Sequence, residues 1–474
     1  MRAVRLIPAL LAAPMLAWGG EAAPLPPTSA EAQLRARDER RPEQPITLDV
    51  AGHPVQVGGS WEYTHEWRDN FDLDEQRARN RRVQEHEVQL EARSRFGDRT
   101  EVFLQLVGLH DTRRTQGTPG KQVNRSLERG PMWLQRERLG GTPWLLQFGR
   151  VTLLDRRAWW WDEDLDGVRV RYLGKKWRLD TGIAHEAARK SSDERGVAPD
   201  MRGVTRWFGQ ASWLWARRHS VEAFWLLQRD RSAQPQPGAV FADEDSIDER
   251  DLDARWVGAR ASGEWRNKGV LHRLNYWGDL AWFAGRERVS AFEERAADGR
   301  FVALGTRSQR LRGHALDLGA SASFDLPLRP LLTLGYARGS EQFRQTGLQE
   351  NKMRFAGVKR WQRYGELLQP ELSNLQVITA GTGVRFGRNS SLELLLHDYR
   401  QVRPSTVVEG SRLSADPGGT SRSLGREVDL LLAIRESRRV EFTAKASYFR
   451  PGAAFGPARR DPARSIELGM TVNF

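Results

Sequence analysis

From about residue 46 onward, apolar and polar residues alternate along much of the chain. Ile466, Leu468, Met470 and Val472 are separated by Glu467, Gly469, Thr471 and Asn473. Val440, Phe442, Ala444, Ala446 and Tyr448 face one way, and Glu441, Thr443, Lys445 and Ser447 the other. Val428, Leu430, Leu432 and Ile434 stand against Glu427, Asp429 and Arg435; Val168, Val170 and Tyr172 against Arg169 and Arg171; Val88 and Leu90 against Glu87 and Glu91. Near the start, Val55, Val57, Trp61, Tyr63 and Trp67 oppose Gln56, Ser60, Glu62 and Thr64. A period of two belongs to a strand with two unlike faces, whereas a helix repeats near 3.6. The pattern predicts an all-β chain and leaves its solvent open. A soluble sandwich turns the apolar faces into a shared core. A transmembrane antiparallel β-barrel turns them to lipid and the charges into a wet lumen.

The connections favour the barrel. Eight are tight: Gly97-Asp98, Gly140 to Pro143, Gly174 to Lys176, Arg217 to His219, Arg266 to Val270, Asp325 to Pro330, Gly387 to Asn389 and Glu436 to Arg438. Nine are long and polar: about 69–81, 110–130, 152–165, 186–205, 229–254, 285–310, 339–372, 401–424 and 450–463. Short periplasmic turns on one side and long extracellular loops on the other are the outer-membrane layout, here with about eighteen strands. Strands of about 11 residues then use roughly 200 residues. A barrel of this strand number holds a water-filled channel unless something folds inward. The segments 229–254, 339–372 and 401–424 have the length to do so. The last strand closes on Phe474, which resembles the C-terminal signature of bacterial outer-membrane barrels.

Composition narrows the picture. The chain has 474 residues, and mean hydropathy is -0.62. Beyond the N-terminus it holds no apolar run long enough for a membrane helix. It has no cysteine, which excludes disulfides, thiolate metal sites and thiol catalysis. The net charge is +13, from 74 basic and 61 acidic residues, and nearly all the cations are arginine. Arginine keeps its charge and forks onto carboxylates and phosphates. The 18 tryptophans suit a girdle at the lipid–water boundaries, with Trp207, Trp213 and Trp215 on one face and Trp61 and Trp67 on another. Arg2 and Arg5, the apolar stretch Leu6 to Ala17 and the small residues Gly20 and Ala22 read as an export signal. The expected organisation is a signal peptide over 1–22, a flexible periplasmic leader over 23–45 and a barrel over 46–474. The location that follows is the outer membrane of a Gram-negative bacterium.

Enzyme motifs are missing from the sequence: no G-x-S-x-G, no H-E-x-x-H and no phosphate loop. His397 and Tyr399, two apart on one strand, could be the base and acid of a lyase, but a satisfied lumen pair is the simpler reading. Asp162/Asp164 and Asp243/Asp245 could bind calcium in loops, though such pairs usually serve solubility. No cofactor or metal is expected. The distinctive feature is charge facing inward. Arg93, Arg95, Arg169, Arg171, Arg260, Arg435 and Lys445 fall on the lumen face, with Glu87, Glu91, Glu264, Asp317, Glu427, Asp429, Glu441 and Glu467. Such charges either focus a field on passing ions or pair across the wall and stiffen it; both can hold together.

Three stretches go beyond a generic barrel: GRVTLLDRRAWWWDEDLDGVR from Gly149, YGELLQPELSNLQVIT from Tyr364, and GREVDLLLAIR from Gly425 followed by YFRPGAAF. Together they resemble the alginate export family. The resemblance implies an eighteen-stranded monomeric barrel whose basic constriction conducts an acidic polysaccharide. It marks Arg150, Arg157, Asp162, Asp166 and Arg169 near the first motif, and Arg385, Arg435 and Lys445 near the others, as conducting residues; Arg93 and Arg171 join them from the inward pattern. It also implies periplasmic secretion or scaffold partners, which the short turns and the leader would meet. The alternative is a porin for small anions such as organic acids or phosphate. A secreted carbohydrate-active β protein is a third reading. Nucleic acid is the weakest partner, given the signal segment and the acidic content.

Overall fold

The computed structural model describes residues 46–232, 235–242, 246–295 and 299–474. The signal segment, the leader and the pair Asp243/Asp245 lie outside the described residues. Eighteen long strands form the wall. The first six are β1 (His53–Asp69), β2 (Arg81–Phe96), β3 (Thr100–Thr115), β4 (Gln122–Arg136), β5 (Trp144–Leu154) and β6 (Asp162–Leu173). There follow β7 (Trp177–His185), β8 (Val204–Ala216), β9 (His219–Asp230), β10 (Arg250–Arg266), β11 (Leu271–Arg295) and β12 (Arg300–Phe324). The last are β13 (Pro330–Gly339), β14 (Leu375–Phe386), β15 (Ser390–Gln401), β16 (Ser423–Ile434), β17 (Val440–Pro451) and β18 (Ala463–Asn473).

Each strand pairs antiparallel with the next, and β18 returns to β1 with Trp61 opposite Val472. Closure satisfies both edges, as lipid requires of any strand assembly. Phe474 completes the seam: its N–H donates to the Gly59 carbonyl at 3.0 Å, and Gly59 N–H donates back at 2.9 Å. A short strand, Ile46–Val50, folds onto the periplasmic start of β1 with Ile46 opposite Val57.

The two faces separate as the alternation requires. Ile466 and Leu468 are about half exposed on the outside, as are Leu394, Leu396 and Leu430. On the inner face, Arg260, Asp317, Glu427 and Asp429 are buried. All eight tight turns stand where expected. Three loops are shorter than the sequence suggested. Strand continues to Thr115 and resumes at Gln122, β5 runs to Leu154 and β6 starts at Asp162, and β11 and β12 run 25 residues each. A spanning strand needs only about 9–11 residues. The outer part of the β11–β12 hairpin therefore stands above the hydrocarbon core, where neither face meets acyl chains and charged residues such as Arg286, Glu287 and Arg288 fall on both sides.

The tryptophans divide. Trp177, Trp213, Trp215 and Trp265 are exposed near the short-turn ends, where a girdle belongs. Seven others, among them Trp159, Trp160, Trp161 and Trp361, are buried inside the barrel. Trp133, Trp256 and Trp277 stand on the inner faces of β4, β10 and β11; the other four belong to segments that fold inward, the seven-residue connection 155–161 and the long connection 340–374. Phe343, Leu348, Phe355, Val358, Leu367 and Leu368 of the latter are buried, so it fills the lumen as a plug. Neither the described residues of 231–249 nor those of 402–422 contribute on that scale. Residues 240–241 pair with the projecting part of β12, while Leu413 and Ala415 pack at the margin of the core.

Candidate functional site

The lumen is built on two inward segments and the wall charges that hold them. Asp155 organises the first. Its carboxylate accepts the N–H groups of Arg157 (2.7 Å), Trp159 (2.9 Å) and Trp160 (2.7 Å), closing a tight turn. It also pairs with Arg260 across the lumen. Burial by itself raises the Asp155 carboxyl. The Arg260 guanidinium and the backbone donors outweigh that and hold it at about 2. The turn drives Trp160 against the wall, where its ring stacks on Phe224 at 4.9 Å. Gly258 makes room, since a Cβ there would come within 2.2 Å of the indole.

Arg157 projects from this turn to the middle of the barrel. It lies 3.2 Å from Asp279 and 3.4 Å from Asp317, with its guanidinium 4.4 Å from the centre of the Trp277 ring. Arg363, from the plug, pairs with the same Asp317 at 2.9 Å. Tyr364 donates its hydroxyl to Asp317 at 2.8 Å and accepts the Trp159 indole N–H at 2.9 Å. One cluster of three arginines (Arg157, Arg260, Arg363) and three aspartates (Asp155, Asp279, Asp317) thus ties both inward segments to β10, β11 and β12. Complementary charge is what keeps so many buried ions tolerable.

On the opposite side the plug is held by acids of β15 and β16. Glu427 accepts the N–H groups of Leu367 (2.7 Å) and Leu368 (3.0 Å). Glu393 accepts Gly357 N–H at 3.0 Å and the Trp361 indole at 3.1 Å. Gly365 passes close to the wall with φ +95°, and a Cβ there would meet the Tyr399 hydroxyl at 2.1 Å. His397 and Tyr399 are fully buried beneath the plug. The Tyr399 oxygen is 2.8 Å from the Tyr364 carbonyl, and the histidine Nδ1 is 2.9 Å from Thr379 Oγ1. The pair is packed under the plug with no room for a substrate, and His397 Nε2, 3.5 Å from Asp429, makes no hydrogen bond.

The remaining residues marked from sequence fall into separate groups. Arg150 and Asp166 meet near the extracellular side in an outward row with Leu104 and Met132, so the register does not bring this pair into the lumen. Arg150 lies 2.9 Å from Glu186 and 3.6 Å from Asp166, which also takes Arg129 at 3.1 Å. Arg169 and Arg171 share Asp180, nearer the periplasm. Arg435 pairs with Glu441 at 2.7 Å and donates to the Val358 carbonyl of the plug at 2.7 Å. Lys445 bridges Glu366 of the plug (3.1 Å) and Glu467 (2.8 Å). Arg93 pairs with Glu101. Asp162 lies 3.4 Å from Arg360, and Asp164 accepts the Thr152 hydroxyl, so both carboxylates engage protein donors rather than framing a calcium loop. Arg385 differs: it faces inward at the periplasmic end of β14, and its charged neighbours include Arg273, Arg329 and Arg354.

Asp155, Asp279, Asp180 and Arg363 were not singled out from sequence. Inward parity marks Asp279 and Asp180, which stand opposite Arg260 and Arg171 in the register. Nothing in the local pattern marks Arg363, because it sits in a plug that has no period.

Comparison with known proteins bears on what this lumen conducts. The family model for alginate export matches residues 53–466, almost the whole barrel. The chain belongs to the alginate export family. It is 27% identical to the alginate production protein AlgE of Pseudomonas aeruginosa over 335 residues, 66% of this chain and 67% of that one. It is 26% identical to AlgE of Azotobacter vinelandii over 300 residues, 60% of each chain. Among solved structures, OpdK of Pseudomonas aeruginosa in complex with vanillate superposes with a TM-score of 0.52 at 11% identity, over 89% of this chain and 98% of that one. That likeness is one of fold. This family member is an outer-membrane β-barrel and a transport channel, not an enzyme.

Proposed function

We propose that this barrel exports alginate or a closely related polyuronate from the periplasm to the cell surface, as a monomer, along an arginine-lined electropositive path. Family membership and the AlgE relatives support the cargo. The observation that carries the path is the inward placement of Arg385 at the periplasmic end and of Arg157 and Arg363 at mid-height.

A polyuronate carries one carboxylate per sugar. Resident aspartates already occupy most of these guanidinium groups and hold them extended. A passing carboxylate displaces one acid from an arginine and returns it as it leaves, so each exchange is close to neutral. Where such a pair opens to the water of the lumen it contributes about 1 kcal/mol or less, and conduction needs shallow sites of that kind in series. Acids on the same path, among them Glu85, Glu87 and Glu91, keep the polymer from settling. The arginines around Arg385 raise the local concentration of polyanion at the entrance. The room for passage is taken to lie beside β1 and β2, whose inward Glu62, Glu85 and Glu87 stay at least partly exposed. Periplasmic synthesis or scaffold proteins would meet the short turns and the leader.

The test is the reversal potential of the refolded protein in a planar bilayer under a salt gradient, with and without oligomannuronate. Anion selectivity with current blocked by the oligouronate is expected, and Arg157→Glu with Arg385→Glu should abolish the block. Anion selectivity without block would assign the pore to small anions instead. Cation selectivity would sink both readings.

A further inference from the structure

A second group of arginines lies on the outside of the barrel, where the lumen reading has no use for them. On β9 to β12 the outward row just below the extracellular rim is Leu227, Arg255, Ala284 and Arg312, in register from strand to strand. The next row up adds Arg229, Arg286 and Arg310. Arg229, Arg255, Arg310 and Arg312 are exposed, and none has a carboxylate partner among the described residues. The one acid in these two rows, Asp253, lies 3.5 Å from Arg288. Farther round the outer rim, on β15, β16 and β18, arginines meet carboxylates. Arg400 and Arg426 both pair with Asp398, at 3.2 and 2.9 Å, and Arg464 lies 3.4 Å from Asp69.

The surface between these arginines is recessed. Ala284 and Gly285 leave the floor bare, and two adjoining clefts of about 710 and 280 Å³ share Asp253, Arg255 and Ala284. Directly below, toward the membrane centre, Val257, Leu280 and Trp282 form an exposed apolar strip. Unpaired cations above an apolar strip at the lipid boundary match an amphiphile with anionic head and acyl tails. Guanidinium forks suit phosphate in particular.

We propose that this outward face of β9 to β12 is a binding site for the phosphorylated glycolipid of the outer leaflet, the lipid A part of lipopolysaccharide. Its phosphates sit among Arg229, Arg255, Arg310 and Arg312, and its acyl chains lie on Val257, Leu280 and Trp282. The site rests on the outer-membrane location and is independent of what the lumen carries.

Native mass spectrometry of the detergent-solubilised barrel, titrated with lipid A, tests it. The wild type should bind bis-phosphorylated lipid A at least about tenfold more tightly than the dephosphorylated form. R229Q/R255Q/R310Q/R312Q should lose that preference, whereas R400Q/R426Q on β15 and β16 should keep it. Heat-modifiable gel mobility verifies folding; should the quadruple variant fail there, R229Q/R255Q and R310Q/R312Q are read separately, each expected to weaken the preference. Equal binding of the two lipids by the wild type, or an unchanged preference in the folded variants, overturns the proposal. So does competition by inorganic phosphate at the same concentration as lipid A, which would make the patch a free-anion site.

Discussion

The wall from β14 to β17 and the wall from β1 to β4 are written in the same alternation, yet their inner faces end in different environments. On the first arc, Glu427, Asp429, His397 and Tyr399 are fully buried, and Glu427 and Tyr399 bond to the plug backbone. On the second arc, Glu62, Glu85, Glu87 and Arg93 stay partly exposed. An inward charge is therefore not one kind of residue. Under the plug it is a structural anchor, whose loss strands a buried partner. Beside open lumen it is a tuning group, whose loss changes the field felt by a passing ion.

The strongest way to break the comparison is to remove the plug. Replacing 340–374 by a short Gly-Ser turn should make the two arcs alike, raise single-channel conductance several-fold and weaken discrimination among anions. Unchanged conductance in the planar bilayer would mean that the plug does not limit the lumen. Next is Asp317→Ala, which leaves Arg157 and Arg363 without their shared acid. Breaking a buried pair in this way costs about 3–5 kcal/mol, read as a lower urea midpoint for folded barrel in micelles.

A smaller effect is expected from acid. The Asp155 carboxyl lies at about 2 in the fold, below its ordinary 3.8. A depressed carboxyl contributes stability above the unfolded value and loses it as pH falls through the folded one. That contribution is about 2 kcal/mol. The stability gap between wild type and Asp155→Asn should be constant from pH 7 to about 5 and shrink by that amount toward pH 2. A gap that does not change with pH would show that the charge of Asp155 does not hold the turn. The smallest change belongs to the open arc. Glu87→Gln should alter stability by no more than ~0.5 kcal/mol and shift the reversal potential slightly toward anions. A large loss of stability there would erase the distinction between the arcs.

Much of the wall was legible because lipid enforces the code residue by residue. Each outward position must be apolar, so Val428, Leu430 and Leu432 announce the facing of Glu427 and Asp429 without any knowledge of neighbours. The tight turns were legible for a related reason: strands that must reverse within a few residues need turn chemistry such as Gly97-Asp98 or Gly387 to Asn389. Where lipid stops, the code stops. The outer ends of β11 and β12 were read as loop because water on both faces imposes no alternation. The triple tryptophan falls in the connection 152–165, where an aromatic run carries no sign of whether it meets lipid or the lumen.

The candidate site was legible only in part. Inward parity gave Arg169, Arg171 and Lys445, and the family motifs gave Arg150 and Arg157. The partners that fix their state could not be read. Asp317 meets Arg363 across a barrel from a segment 46 residues away, and Lys445 meets Glu366 only because the plug descends that far. The sequence by itself determined the strand count, the alternation, the side of each turn and the family, all of which follow from local chemistry or from contiguous motifs. The tertiary structure decided which charges are anchored and which stay wet, because that depends on where 155–161 and 340–374 fold, and their burial is set by distant strands rather than by their own neighbours in the chain.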